Sequence, residues 1–397
     1  MAQLPKRAAG ALADVRGGVR LVVAGVRGVT GIVEAMHHRI ARISPPFGSV
    51  QDEPTRGITG LVYRSIKGTT GLVGHGLDAA LAGVQAVLGM SLQGLPEAEA
   101  PPRRDAVVSA LNGVVGDHLA RTGNPLAIRM ELRTREAQGP SGPKILLMVH
   151  GLCMNDLQWS RDGHDHGQSL GRSLGYTPVY ARYNTGRHIS ASGHDLAEAI
   201  ERLLQAWPVP VENLTILGHS MGGLVARSAV FQASEAGMAW PTRLKGLVFL
   251  GTPHHGAPLE RGGNWLHRGL GISPYLAPFT RLSGMRSEGI TDLRHGSLLE
   301  ADRAGGRFTL RDTRSVLPLP QGVQCYAVAG TLGRDEDANE WMGDGLVPLA
   351  SALGRHARAT RDLHIPPSHQ WIARGVHHLD LLGSDAVYRR LRKWLAA

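Results

Sequence analysis

The segment that most constrains the fold is Gly218-His219-Ser220-Met221-Gly222, which lies between an apolar strand pattern and an apolar helix pattern. A serine on a tight strand-to-helix turn stands clear of the sheet, and the flanking glycines keep the strand and the helix from clashing there. The N-terminus of the following helix supplies partial positive charge and free N–H groups, which suit a developing oxyanion. Ser220 is therefore a candidate nucleophile. The alternative is an ordinary glycine turn, because the chain contains 52 glycines among 397 residues.

Short apolar runs alternate with helical patterns from residue 106 onward. This alternation predicts an α/β domain over 106–397, with a mostly parallel sheet and helices on both faces. The predicted strands are 127–132, 144–149, 178–183, 213–217, 244–250 and 323–329. The predicted helices include 194–204 and 223–236.

A second signal is the loop that closes the predicted strand 144–149, which reads His150-Gly151-Leu152-Cys153. In folds with a nucleophile on such a turn, this loop supplies one oxyanion N–H, and the residue after the nucleophile supplies the other. We assign these two donors to Leu152 and Met221. His150 precedes Ser220 in the chain, which favours a role in bracing the loop over a role as the base.

A serine nucleophile needs a base and an orienting carboxylate, which follow it in the order acid, then histidine. Asp344 lies between two glycines after the last predicted strand, and the segment 376–382 contains His377-His378. The acidic run 335–337 offers rival acids, although a solvated loop is its simpler interpretation. His364 and His369 are rival bases.

These motifs together resemble the α/β-hydrolase family, and within it the bacterial lipases and the serine hydrolases related to GPI inositol-deacylases. The resemblance covers residues 125–397 and favours His378 over His377, because the family's base directly precedes a Leu-x-Leu-Leu segment. The residues that carry it are His150-Gly151, 218–223, 250–258, 343–348 and 378–380. The resemblance also leads us to expect a substrate pocket that includes His150, Gly151, His219, His254 and His255.

The activity that this pattern implies is hydrolysis of a carboxylic ester of lipase or esterase type, through Ser220, His378, Asp344 and an acyl-enzyme. No cofactor and no metal site are expected. An acyltransferase or lipid deacylase with the same three residues is one alternative. A non-catalytic protein that binds lipid surfaces is another.

A long insertion at about 257–320 is rich in Gly, Pro, Leu and Arg and lies between two predicted core strands. We expect it to form a cap over an apolar pocket, with plain surface packing as the alternative.

The N-terminal region, residues 1–91, carries two amphipathic helix patterns at 12–43 and 55–88. A seven-residue motif starts at Arg27, Arg56 and Lys67, and its last two copies are 11 residues apart. The motif consists of Arg or Lys, then Gly, two variable residues, Gly and two apolar residues. The spacing between these copies returns the motif to one helical face. The pattern fits a glycine-rich helical hairpin packed on protein, including a second copy of the chain, or a helix on a membrane or lipid-droplet surface. Residues 92–105 are predicted to be a linker.

Composition excludes several classes of protein. The net charge is +10, but the basic residues are scattered without aromatic interleaving, so we expect no nucleic-acid partner. Two cysteines, Cys153 and Cys325, exclude a disulfide scaffold and are expected to be free, buried thiols. The sequence has no run of 18 uncharged apolar residues and no secretory pattern, so we expect a cytoplasmic protein, with contact to a membrane surface left open. Homo-oligomerisation is likewise left open.

Overall fold

The computed structural model describes residues 102–135, 141–257, 287–303, 312, 314–315, 317–333 and 343–396, together with residues 16, 17 and 20. The chain divides into two compact units. One unit contains residues 1–100 and 123–126, and within it the Asn124 amide donates to the Gly17 carbonyl at 3.0 Å. The other contains residues 101–122 and 127–397 and carries the candidate site. Apart from residues 16, 17 and 20, the predicted helices at 12–43 and 55–88 lie outside the described residues, as do the acids 335–337.

A seven-stranded sheet forms the centre of the second unit, in the order β1-β3-β2-β4-β5-β6-β7. The strands are β1 Glu131–Arg133, β2 Lys144–Val149, β3 Thr177–Arg182, β4 Asn213–His219, β5 Leu244–Leu250, β6 Gln324–Thr331 and β7 Gln370–Arg374. β1 pairs antiparallel with β3, and every other pairing is parallel. The carboxyl ends of β2, β4, β5 and β6 therefore meet at one edge of the sheet.

Both faces of the sheet are covered by helices. The described helices are α1 Pro102–Arg121, α2 His166–Leu174, α3 Ile189–Gln205, α4 Met221–Glu235, α5 Glu288–Asp292, α6 Leu349–Ala352 and α7 Asp385–Leu395. Short 3₁₀ helices lie at Asp156–Trp159, Trp240–Arg243, Glu300–Arg303, Ala359–Arg361, Pro367–His369 and Asp380–Leu382.

The apolar residues of β2 contribute to two hydrophobic cores, one on each face of the sheet. Ile145, Leu147 and Val149 point to a core shared with α3 and α4, whereas Leu146 and Met148 point to a core shared with α2 and α7. Successive side chains of a strand point to opposite faces, so a continuous apolar run belongs in a sheet that is buried on both sides. The predicted fold class, an α/β-hydrolase sheet with helices on both faces, is confirmed for the described part of this unit.

Two described elements, β7 and α1, have no counterpart in the sequence prediction, and β1 begins at Glu131 rather than at the predicted residue 127. β7 was not predicted, because its residues are mixed in polarity and mostly half-buried, as suits an edge strand with one neighbour. The second is α1, which begins at Pro102, inside the predicted linker 92–105. Proline is well tolerated in the first turn of a helix, where its missing N–H would have no partner.

The predicted insertion 257–320 is described only in part, at 257, 287–303, 312, 314–315 and 317–320. These residues include α5 and one 3₁₀ helix. Among the described helices, none has the length and apolar character needed to span a bilayer.

Candidate active site

Ser220 lies on the turn between β4 and α4 with φ +54° and ψ −125°. This backbone conformation is costly for a residue with a side chain, so the surroundings must hold it. The Ser220 N–H donates to the Leu250 carbonyl at 2.8 Å, which ties the turn to the end of β5. A Cβ at Gly218 would lie 2.5 Å from the Gly223 Cα, so only glycine allows the strand and helix to approach this closely.

The loop after β2 passes directly against this turn. A Cβ at Gly151 would lie 2.9 Å from the Ser220 Cβ. The loop is closed by the Met154 N–H, which donates to the Gly151 carbonyl at 3.3 Å. Cys153 has φ +60° and donates its N–H to the Thr185 hydroxyl at 3.0 Å, which fixes the residue after Leu152.

The second predicted oxyanion donor, Met221, is the first residue of α4. The N–H of a first helical residue has no partner within the helix. The helix N-terminus also places its partial positive charge beside Ser220. The geometry is compatible with an anion-stabilising site formed by Leu152 and Met221.

His150 is fully buried and braces this loop. Its Nδ1 donates to the Gly151 carbonyl at 2.9 Å, and its ring stacks on Tyr183 at 4.5 Å between centroids. The Tyr183 hydroxyl in turn donates to the His150 carbonyl at 2.7 Å. Burial lowers the pKa of His150 to about 4. These contacts favour the bracing role over the role of base.

The Asp344 and His378 side chains are joined at the carboxyl edge of the sheet. His378 Nδ1 lies 2.6 Å from Asp344 Oδ2, and both side chains are buried. The other oxygen of Asp344 accepts the N–H groups of Leu346 and Val347, at 3.0 and 2.9 Å. The carboxylate therefore has a fixed orientation. Because Nδ1 faces a carboxylate, it carries the proton, and Nε2 is left with a lone pair.

The rival bases lie elsewhere. His377 is exposed, although it is adjacent to His378. The His364 side chain is 74% exposed and pairs with Asp362. The ring of His369 packs on Tyr326, and its Nδ1 lies 3.2 Å from the Cys325 carbonyl. None of the three lines the cavity at Ser220.

His219 buttresses the segment that holds His378. Its Nε2 donates to the His378 carbonyl at 3.1 Å, and the two ring centroids are 4.7 Å apart. Burial, together with repulsion from a charged His378, holds the pKa of His219 well below its usual range. His219 therefore stays neutral, and it constrains the backbone of His378 without competing for its proton.

Ser220 and His378 both line one cavity. Most of its other walls are apolar: Leu152, Met154, Pro253, Ala257, Leu293, Leu346, Val347 and Leu379. Two of these, Ala257 and Leu293, belong to the predicted insertion. His219 lines the cavity as expected. The other four residues expected there, His150, Gly151, His254 and His255, are not among the lining residues, and His254 and His255 border a separate cavity.

Sequence reasoning missed the contacts that support these side chains. His164 Nε2 lies 2.8 Å from His166 Nδ1, and the Nε2 of His166 lies 2.8 Å from the Leu381 carbonyl. The His166 ring thereby anchors the segment just after His378. His164 and His166 are separated by one residue and lie 215 or more residues before Leu381, so the fold is needed to bring His166 to that carbonyl.

Gly251 was also missed. It follows β5 with φ +56°, and a Cβ there would lie 3.0 Å from both Asp344 Oδ2 and His378 Nδ1. The backbone of this residue packs directly against the Asp344–His378 hydrogen bond, so the position requires glycine for its conformation and for the space.

We predict that Gly251→Ala disturbs this pair. The substitution should destabilise the fold by about 1–3 kcal/mol through backbone strain. It should also lower kcat by about 100-fold, because the new methyl group displaces the histidine. The matched control is Gly237→Ala, which has φ +66° but no atom within 4 Å of the new Cβ. Thermal unfolding of both variants measures the cost of backbone strain, and ester hydrolysis measures the effect of displacing the histidine. An unchanged kcat in Gly251→Ala would contradict the prediction.

Neither thiol takes part in the site. Cys153 and Cys325 are free and buried, as predicted, and burial raises the pKa of each to about 12. In the part of the chain that the structure describes, no group of three or more His, Cys, Asp or Glu side chains is arranged to hold a metal ion.

Comparison with known proteins gives one family match. Residues 142–302 match the family model described as the PGAP1-like alpha/beta domain. The matched range includes β2, the turn at Ser220 and β5, but neither Asp344 nor His378. None of the curated proteins compared with the chain matches it.

Several solved structures are similar in outline. The mature lipase BlEst2 of Bacillus licheniformis has a TM-score of 0.43 and 16% identity, over 68% of this chain and 98% of the lipase. An esterase of Pyrobaculum calidifontis has a TM-score of 0.40 and 15% identity, over 78% and 96%. A lipase-esterase related protein from Clostridium acetobutylicum has a TM-score of 0.39 and 11% identity, over 67% and 99%.

Proposed function

We propose that this chain, which has an α/β-hydrolase fold and a PGAP1-like alpha/beta domain, hydrolyses carboxylic esters through Ser220, His378 and Asp344. The observation that carries the proposal is that a strained serine and a carboxylate-bound histidine line one apolar cavity. A strained turn costs stability, and a serine on such a turn that meets a carboxylate-bound histidine at one cavity is typical of a nucleophile and its base.

The first half-reaction forms the acyl-enzyme. Ser220 Oγ attacks the carbonyl carbon of the ester while His378 Nε2 takes the serine proton. Asp344 stabilises the imidazolium that results. The N–H groups of Leu152 and Met221 hold the negative oxygen of the tetrahedral intermediate, at about 3–4 kcal/mol for each donor. The bond to the leaving alkoxide then breaks, and His378 gives that oxygen its proton.

The second half-reaction releases the acid. Water attacks the acyl carbonyl carbon while His378 Nε2 accepts one of the water's protons. The bond to Ser220 Oγ breaks, His378 returns the proton to Oγ, and the carboxylic acid leaves. The same residues act in the same roles, so no further group of the chain is needed.

The apolar walls around Ser220 indicate an acyl chain rather than a polar acyl group. Burial of one CH₂ is worth about 0.8 kcal/mol, so each added methylene should raise kcat/KM about fourfold until the cavity is full. A series of p-nitrophenyl esters of increasing chain length, kept below the concentration at which they form droplets, measures this. A flat or falling series would contradict an acyl-binding role for the cavity.

The test of the function itself is covalent labelling. A fluorophosphonate probe should modify one residue, and peptide mass spectrometry should assign the label to Ser220. Label on another residue, or no label on active protein, would overturn the assignment. Addition of a competing alcohol to the ester assay then distinguishes water from an alcohol as the acyl acceptor, because acyl transfer yields a new ester in place of the acid.

A further inference from the structure

A second cavity lies beside the cavity at Ser220 and His378, here called the ester cavity, and its lining is more basic. Basic side chains make up half of its lining: Arg227, His254, His255, Arg314 and Arg361. The chain segments 253–257 and 293–298 contribute to both cavities, because some residues of each segment line the ester cavity and others line the second cavity. None of the basic residues is needed for the reaction proposed above.

Arg227 is the unusual member of this set, because it is only 5% exposed and pairs with no carboxylate among the described residues. Its guanidinium donates to the Leu317 carbonyl, and Nη1 lies 3.3 Å from His254 Nδ1. Its Nε is buried without a hydrogen-bond partner. Burial, with repulsion from Arg314, lowers the pKa of Arg227 to about 10, so it remains charged at neutral pH. A buried charge with no opposite charge is strongly unfavourable.

The other two arginines are only partly neutralised. Arg314 Nε lies 3.3 Å from Asp312, and Arg361 pairs with the other oxygen of the same carboxylate. Arg314 also donates to the His254 carbonyl at 2.7 Å and faces His255 Nδ1 at 3.0 Å. One aspartate thus serves two guanidinium groups.

Two other carboxylates lie nearby, those of Asp362 and Asp302. Asp362 accepts the N–H groups of His356 and His364, at 3.2 and 2.7 Å, and Asp302 is occupied by main-chain donors. The oxygens of Asp302 accept the N–H groups of Leu298, Leu299 and Ser315 at 2.7 to 3.0 Å. Burial lowers the pKa of both His254 and His255, so the two rings are neutral and add no further positive charge. Among the described residues, none of these carboxylates pairs with Arg227, so its buried charge has no opposite charge in contact with it there.

We propose that this cavity binds a phosphate-type oxyanion. A guanidinium presents parallel N–H donors that match the oxygens of phosphate, and a dianion would supply the opposite charge that Arg227 lacks. Because segments 253–257 and 293–298 also line the ester cavity, the bound anion would lie against the far side of that cavity's wall.

Titration of the full-length protein with inorganic phosphate tests the site. Calorimetry and ³¹P NMR at constant ionic strength should show saturable binding, and chloride should give none. Arg227→Gln should weaken binding by about tenfold or more, through loss of a charge-assisted hydrogen bond. Arg361→Gln, at a less buried position, is the second variant if Arg227→Gln does not fold. Arg202→Gln is the matched control, because Arg202 lies on α3 and pairs with the exposed Glu198. Absence of saturable phosphate binding, or equal affinity in all the variants, would overturn the proposal.

A separate experiment, which rests on the proposed ester hydrolysis, tests whether the phosphate belongs to the substrate or is a free ligand. KM is compared for an ester that carries phosphate on its alcohol portion and for its neutral analogue, in wild-type protein and in Arg361→Gln. A preference that the substitution removes places the phosphate on the substrate, whereas equal KM values support a free phosphate ligand. Phosphate binding by Ser220→Ala distinguishes failure of the phosphate proposal from failure of the esterase proposal. This variant should bind phosphate normally, whether or not Ser220 is the nucleophile.

Discussion

Ser220→Ala should lower kcat for short p-nitrophenyl esters by about 10⁶-fold, which leaves only the small residual rate supplied by the oxyanion donors and substrate binding. The alanine lacks the oxygen that forms the acyl-enzyme in the proposed reaction, while the proposed oxyanion donors and the cavity remain. Substrate binding should therefore persist. Initial rates with purified protein measure the loss, and the fluorophosphonate probe should no longer react.

Two further serine variants make this result specific. Ser234→Ala, on the same helix, removes a hydroxyl that donates to the Val230 carbonyl within that helix and should leave kcat unchanged. Ser220→Gly should be as inactive as Ser220→Ala but more stable than wild type by about 1 kcal/mol, because glycine adopts φ +54° without strain. Substantial activity in either Ser220 variant would remove this residue from the mechanism. A glycine variant less stable than wild type would contradict the strain argument.

Local sequence was sufficient for the nucleophile turn and for the central strands. β2 and β5 begin and end at the predicted residues, because each is a mostly apolar segment, interrupted only by Lys144 at the start of β2 and by Lys245 and Gly246 in β5. The turn at Ser220 depends on residues within five positions of one another. Their spacing in the sequence therefore carries almost all the information about their geometry.

The second cavity shows where sequence reasoning fails. His254 and His255 follow a strand end, which led to their expected place in the substrate pocket. In the structure they border the arginine cavity, because Arg227 from α4 and Arg314 from the insertion reach the same loop from other parts of the chain. These contacts span 27 and 59 residues of sequence and leave no periodic signal. Gly251 was missed for the same reason, since its partners are Asp344 and His378.

The choice between the adjacent His377 and His378 could be made only in part from the sequence. Spacing alone left His377 and His378 open, and the family resemblance favoured His378. The backbone supplies a physical reason for the difference. The His377 carbonyl accepts the N–H groups of Asp380 and Leu381 and so begins a 3₁₀ turn, while the His378 N–H donates to the Asp344 carbonyl at 3.2 Å. This pairing turns residue 378 inward, and its neighbour is left in solvent.

His378→Ala should accordingly lower kcat by about 10⁶-fold, comparable to the loss of the nucleophile, because the two groups act as a unit. His377→Ala should change kcat less than about twofold, since its contacts use main-chain atoms that alanine retains. The removed imidazole leaves a space beside Asp344, so added free imidazole should restore part of the activity of His378→Ala but none of that of Ser220→Ala. Equal losses in the two histidine variants, or rescue of both His378→Ala and Ser220→Ala, would show that His378 is not the base. Calorimetric unfolding measures the stability of each variant. Only His378→Ala removes the ring that lies 2.6 Å from Asp344, so this control shows whether its lost activity comes from the missing base or from a less stable fold.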